Sequence, residues 1–188
     1  MRIVSWPEAE VPPDLREQVV ALQRQAWPPD ESAEPTNTHD PALEPLSMLL
    51  VADARVLSAL DILSKDITHR GRRFAASGLS TVVTDKALRG RGYGHRLVEA
   101  AHNMLAASGK DVGIFTCDRP LQAFYERAGW KVFPETVLIG GTPSAPFPSD
   151  QFDKVTLGDF FSARARRFAD TFIGSRIDLY PGEIDKLW

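Results

Sequence analysis

Cysteine is almost absent, with Cys117 the one thiol among 188 residues. That excludes a disulfide framework and any Cys-rich zinc site, and it fits a reducing compartment. Long apolar runs are lacking too. Nothing approaches the ~20 residues of a membrane span, and the opening Met1-Arg2-Ile3-Val4-Ser5-Trp6-Pro7 has no extended apolar region of the signal-peptide kind. The expectation is a cytoplasmic protein with no membrane partner. Charge of one sign is not in excess either: 22 Lys and Arg stand against 25 Asp and Glu, a net charge of −3. That balance argues against a general nucleic-acid binder. With 43% apolar and 25% charged residues, the composition is ordinary for a globular chain and excludes disorder as its main state. One domain over residues 1–188 is expected at this length, and no repeat or composition shift marks a boundary within it.

What is present reads as alternating elements. Leu15, Val19, Leu22 and Ala26 recur at helical spacing, which predicts an amphipathic helix over 14–26 that stops at Trp27-Pro28-Pro29. Residues 28–45 hold five prolines and five acids (Asp30, Glu31, Glu34, Asp40, Glu44) with no Lys or Arg. They read as a loop, either a plain solvated one or an acidic rim that draws in a cationic ligand. Two strand-like runs, Leu46–Ala52 and Arg55–Leu63, flank a tight Asp53-Ala54 turn. After a basic turn at 68–73, a third run from Phe74 to Thr84 completes an antiparallel trio. A glycine-entered helix from Gly92 to Ser108 follows, then a brief strand at Val112–Thr116. Strand, helix and strand form a crossover that brings the two strands together. Asp118 offers an N-cap and Pro120 a first-turn position, and Gly129 closes that helix. Trp130–Val132 and Val137–Ile139 are extended, Gly140–Asp150 reads as a loop, and 160–172 as a helix. The tail ending in Trp188 is expected to dock.

The run Arg89-Gly90-Arg91-Gly92-Tyr93-Gly94-His95-Arg96 carries the strongest chemical signal. Three glycines let the backbone approach a ligand closely, and the first amides of the following helix point at it together. Three arginines and no acid in those eight residues add charge suited to a phosphate or pyrophosphate. A Walker A loop would need a lysine that the run lacks. The dinucleotide fingerprint would need glycine in place of His95 and an opening βαβ unit.

The spacing Arg89-x-x-Gly92-x-Gly94 closely resembles the signature (Gln/Arg)-x-x-Gly-x-(Gly/Ala) of the GNAT superfamily of acetyl-CoA-dependent acyltransferases. Downstream, Asp118-x-x-Leu121-x-x-Phe124-Tyr125-Glu126-Arg127-Ala128-Gly129-Trp130 is similar to that family's second signature, commonly Asn-x-x-Ala-x-x-Leu-Tyr-Glu-Lys-x-Gly-Phe. The resemblance covers 46–139, the N-terminal helix by order, and 140–188 weakly. A narrower likeness to the aminoglycoside 2′-N-acetyltransferase branch rests on Ser47 through Arg70-Gly71 to Arg89, on Arg127-Ala128-Gly129-Trp130-x-x-Phe133, and on the Asp-to-Trp tail.

The resemblance implies an α/β (α+β) fold, with a mixed, mostly antiparallel sheet of about six to seven strands and helices on both faces. It implies acetyl-CoA as co-substrate, running along Val82, Val83 and Thr84, with its pyrophosphate on the amides of Arg91, Gly92 and Gly94 and with Arg89 and His95 flanking. Tyr125 matches the tyrosine that protonates the departing thiolate. Asp118 stands where the family has an asparagine against the pantetheine. Asp cannot donate as Asn does, so Asp118 could equally be only a cap. Ser80 stands where the 2′ branch has a glutamate base. The proton acceptor is then a water chain, or a carboxylate among Asp30, Asp40, Glu44, Asp185 and the Trp188 terminus. Otherwise the amine arrives already neutral, at about 1.4 kcal/mol per pH unit below its pKa. Asp30, Asp40 and Trp188 are the candidate substrate contacts.

Cys117 reads as a buried thiol rather than an acyl carrier. His39, His69 and His102 have no metal-ligand spacing, His102 is expected in solvent, and no metal site is predicted. The acceptor implied is a primary amine on a small cationic molecule, with an aminoglycoside as best guess. A protein or peptide amine, and a non-catalytic acyl-CoA sensor, are the alternatives. A homodimer is left open.

Overall fold

The computed structural model describes residues 1–28 and 39–188. Along the chain come β1 (Arg2–Pro7), α1 (Pro13–Ala26), β2 (Leu46–Ala52), β3 (Arg55–His69), β4 (Arg72–Thr84), α2 (Tyr93–Ala107), β5 (Val112–Asp118) and α3 (Gln122–Arg127). There follow β6 (Lys131–Val132), β7 (Val137–Thr142), β8 (Ala145–Pro148), β9 (Lys154–Phe160), α4 (Ala163–Arg166), α5 (Ala169–Phe172) and β10 (Arg176–Asp178). Seven strands form one sheet in the order β1-β2-β3-β4-β5-β9-β6, and β10-β7-β8 form a second. All neighbours in the large sheet are antiparallel except β4 and β5, the pair joined through α2. The mixed, mostly antiparallel architecture expected above is the one observed.

Alternation along β2 divides the core. Leu49 and Val51 pack with Leu22 of α1, Ala59 and Val83, while Met48 and Leu50 join the cluster holding Leu97, Val98, Ala101 and Leu105 of α2. Helices therefore cover both faces. Beyond Ala59 the face under α1 passes to the C-terminal segment: Asp61 meets Asp185 through His39, Lys65 donates to the Tyr180 carbonyl at 2.6 Å, and His69 meets the Thr171 carbonyl at 2.8 Å.

The Asp53-Ala54 turn joins β2 and β3 with both residues left-handed, at φ +49° and +59°, as a two-residue hairpin demands. Aspartate tolerates this conformation and alanine does not. Ala54→Gly therefore removes about 1–2 kcal/mol of steric cost and returns part of it as unfolded-chain entropy, a net gain of about 0.5–1 kcal/mol. A higher urea midpoint at constant m checks it.

Several expectations are corrected. The start of the chain is a full edge strand, β1. β3 continues to His69, and the basic turn shrinks to Arg70-Gly71. The Gly140–Asp150 loop contains β8, whose Pro146 and Pro148 are admissible because it is an edge strand. The helix expected over 160–172 is the end of β9 followed by two four-residue turns, α4 and α5, meeting at Phe168. Phe161, Ala165 and Phe172 are buried as their spacing requires, but Asp111 and the Arg73 carbonyl hold Arg164 and fix the first turn where it is. His102 is not in solvent. Its Nε2 meets Asp159 at 3.0 Å and its ring stands edge-on to Trp130.

Candidate active site

β4 and β5 pair only at Ala76 with Val112 and Ser77 with Gly113. Beyond Ser77 the two strands part, so among the described residues the β4 edge facing β5 has no strand partner. The root of the split is filled by Trp188, whose indole N–H donates to the Ile114 carbonyl at 2.9 Å. No Cβ fits at Gly78, because the Trp188 ring and the Ile114 carbonyl occupy that space.

Past this plug lies a cleft of about 920 Å³ whose lining includes Val82, Val83 and Thr84 of β4, Arg89, Gly90, Gly92, Gly94 and His95 of the glycine turn, and Tyr125 of α3. The glycines do two different jobs. Gly90 and Gly92 are left-handed, at φ +78° and +79°, with open space where a Cβ would stand, so the turn needs their conformational freedom. Gly94 is buried instead. A Cβ there would lie 2.8 Å from the Thr84 hydroxyl oxygen, so its missing side chain lets the start of α2 close onto the end of β4. Within the first turn of α2, His95 Nδ1 is buried without a hydrogen-bond partner among the described residues. An orphaned ring nitrogen beside free helix-terminal amides suits an anion.

Tyr125 is buried, with its ring edge-on to Phe115 and Phe124 at 5.1 and 5.0 Å. Burial, aided by Cys117 and Asp118, pushes its phenol above the usual range, which keeps the proton on oxygen. Burial likewise pushes the Cys117 thiol up to about 12. That withholds the thiolate a nucleophile needs.

Other expected site residues lie elsewhere. Arg91 is exposed and Asp118 is exposed, both outside the cleft lining. Asp118 makes no capping bond and pairs with Lys154 at 2.8 Å, so it acts neither as the cap nor as a wall of the cleft. The Trp188 side chain is plugged into the sheet, its indole N–H on the Ile114 carbonyl. Asp40 caps the turn at Pro41–Leu43, accepting from the Ala42 N–H at 2.9 Å. Glu44 is exposed at 3.7 Å from Lys110. Asp30 lies outside the described residues.

Asp185 belongs to a cluster that sequence reasoning missed. His39 Nδ1 meets Asp185 at 2.5 Å and its Nε2 meets Asp61 at 3.3 Å, with all three residues buried. Ser47 donates to Asp61, and so does the Thr81 hydroxyl, at 2.5 Å. Burial opposes a charge on His39, but the hydrogen bonds to Asp185 and Asp61 outweigh it and raise its pKa to about 10. The signal for Asp61 was a lone acid inside the apolar run Leu57–Leu63.

The family described as acetyltransferase (GNAT) domain matches residues 10–133, the span that holds β2 to β5, the glycine turn and Tyr125. The chain belongs to the GNAT acetyltransferase family. Among solved structures, GNAT-like folds include an aminoglycoside 6′-N-acetyltransferase complexed with coenzyme A, at 18% identity and TM-score 0.61 over 87% of this chain and 99% of that one. An aminoglycoside 6′-acetyltransferase type Ii gives 20% and 0.59 over 87% and 99%. An acyl-CoA N-acyltransferase from Pseudomonas aeruginosa gives 18% and 0.57 over 84% and 97%. At these identities the likeness is one of fold. No curated protein sequence matches. Among the described residues, no helix is long and apolar enough to cross a membrane.

Proposed function

We propose that this GNAT protein transfers an acetyl group from acetyl-CoA to a primary amine of a small cationic molecule. The observation that carries this reading is the convergence, in one cleft, of a free β4 edge, an anion cradle and a buried tyrosine. The cradle fits the co-substrate through the open space at Gly90 and Gly92 and the orphaned His95 nitrogen. In this reading Arg89, Gly92 and His95 hold phosphate, and Val82, Val83 and Thr84 offer backbone groups to the arm that carries the thioester. Bound acetyl-CoA supplies the activated acyl group. The protein holds it against the amine, which attacks directly, and Tyr125 stands ready to give its proton to the leaving sulfur.

Charge supports a cationic acceptor. Next to the cleft's β4 wall, Asp61, Asp185, Asp40 and Glu8 outnumber His39 and Arg16. An aminoglycoside is the acceptor we favour. Thiol release from acetyl-CoA, measured with aminoglycosides, polyamines and peptides, tests it. Fastest release with an aminoglycoside is expected; a peptide preference overturns the small-molecule acceptor, and coenzyme A binding without release to any amine overturns the transferase.

The packing of Gly94 makes a separate prediction. Gly94→Val drives α2 away from Thr84 and weakens coenzyme A binding at least about tenfold, roughly 1.4 kcal/mol. Calorimetric titration of a variant with unchanged circular dichroism checks it.

A further inference from the structure

The register of β3 against β4 breaks at one place, between Ala59 and Asp61, and Asp61 comes to lie opposite Ser80. The extra residue on β4 makes a bulge, and Thr81 within it is left-handed at φ +48°. A β-branched residue avoids that conformation, and bulges of this kind re-aim a side chain. Here the bulge aims the Thr81 hydroxyl at Asp61, 2.5 Å from its Oδ2. β4 is buried from Ala76 to Leu79, whereas Ser80, Thr81 and Val82 are half-buried. Val82, the next residue, is already part of the cleft wall. Thr81 itself sits one residue before the cleft lining; its hydroxyl has a single proton and directs it at Asp61, so towards any other group its oxygen can only accept.

We propose that the Thr81 hydroxyl takes the proton of the acceptor amine and relays it to Asp61, so that β3 supplies the carboxylate that Ser80 does not supply from β4. This rests on the transferase reading above. As nitrogen bonds to the acyl carbon, its N–H bond breaks and that proton joins Thr81 Oγ1. The proton already on Thr81 moves to Asp61 Oδ2, leaving a neutral carboxyl, while the leaving sulfur takes its proton from Tyr125. The groups that face Asp61 suit the role. His39 and Ser47 donate to it, and Asp185, with Asp40 N–H on its other oxygen, offsets the charge of His39. The cluster therefore keeps one negative charge able to receive a proton. A cavity of about 200 Å³, lined in part by Glu8, Arg16, Ser47 and Asp61, runs from the carboxylate towards α1 and gives the proton a way out.

The test uses the whole protein, acetyl-CoA, and whichever of neomycin and spermidine the unaltered protein acetylates faster. Thr81→Val keeps the branched shape and removes the hydroxyl. It lowers kcat at pH 7 about 100-fold, with KM for both substrates and coenzyme A affinity within about threefold, and the deficit narrows as rising pH supplies unprotonated amine and hydroxide. Thr81→Ser restores the rate to within about threefold. Asp61→Asn reproduces the Thr81→Val loss, and urea unfolding confirms that each variant is folded. If Thr81→Val does not fold, Thr81→Ala against Thr81→Ser carries the same comparison. A hydroxyl-free variant with the parent's kcat and pH profile overturns the relay alone. No acetylation of either amine by the unaltered protein overturns the transferase reading, and the relay with it.

Discussion

Replacing Tyr125 by phenylalanine lowers kcat about 10²–10³-fold and leaves coenzyme A affinity unchanged. The substitution deletes one hydroxyl and keeps the ring against Phe115 and Phe124, so the helix and the cleft wall survive it. What disappears is the hydroxyl proposed above as the donor to the leaving sulfur. At first sight Tyr125 is a poor acid, since burial lifts its phenol above the usual value. The same surroundings act on sulfur, however. Cys117 belongs to the same buried cluster as Tyr125, and burial pushes its thiol up to about 12. A coenzyme A thiolate released into similarly buried surroundings would be disfavoured in the same sense and be a stronger base. Proton transfer from phenol to thiolate stays near balance because both anions are disfavoured together. Steady-state rates with coenzyme A titrations check the prediction. An unchanged kcat in the phenylalanine variant removes Tyr125 from the reaction.

Much of this was legible in the sequence because it was written in local rules. Leu15, Val19, Leu22 and Ala26 recur with the helical period, and they form the face that meets β2 and β3. The glycine turn announced an anion site through composition, and that composition is spent on two left-handed residues and one close approach. Other features depended on partners distant in sequence. β1 carries no strong alternation and is a strand because β2 pairs with it from Arg2 to Pro7. β8 is proline-rich and reads as a loop until β7 lies beside it.

The candidate site divides in the same way. Arg89, Gly92, Gly94 and Tyr125 could be picked out as candidates because each sits at a fixed offset from its neighbours, and the crossover through α2 places them along one cleft. Asp118 matched its motif by offset as well, yet Lys154 on the adjacent β9 draws its side chain to the surface. The proton-accepting side was invisible to offsets. Asp61 faces Ser80 only because β4 bulges, His39 reaches it from the segment ahead of β2, and Asp185 arrives from the far end of the chain. The tail was expected to dock, with Trp188 as a candidate contact through its terminal carboxylate. Its indole fills the gap where the two parallel strands separate.

The stability of the protein should fall as pH rises from about 6.5 towards about 10, and His39 is the cause. Its pKa stands at about 10 in the folded protein against 6.5 for an ordinary histidine. A group raised on folding contributes its full stabilisation below the lower value and loses it as pH climbs through the upper one. At neutral pH the contribution is on the order of 3–5 kcal/mol, the size expected when a buried, doubly paired charge is broken. Loss of the proton would leave Asp61 and Asp185 facing each other, with Glu8 and Asp40 nearby and only Arg16 of opposite sign lining the same cavities. His39→Gln creates that state at every pH. Its unfolding free energy, measured in urea from pH 6 to 10, should begin several kcal/mol below the parent and converge with it at the alkaline end. Parallel curves would remove the charge from His39. Convergence ties the segment at His39 and Asp40, the β3 carboxylate and the tail that positions Trp188 to one proton, so that the plug in the β4–β5 split and the floor of the reaction site hold or loosen together.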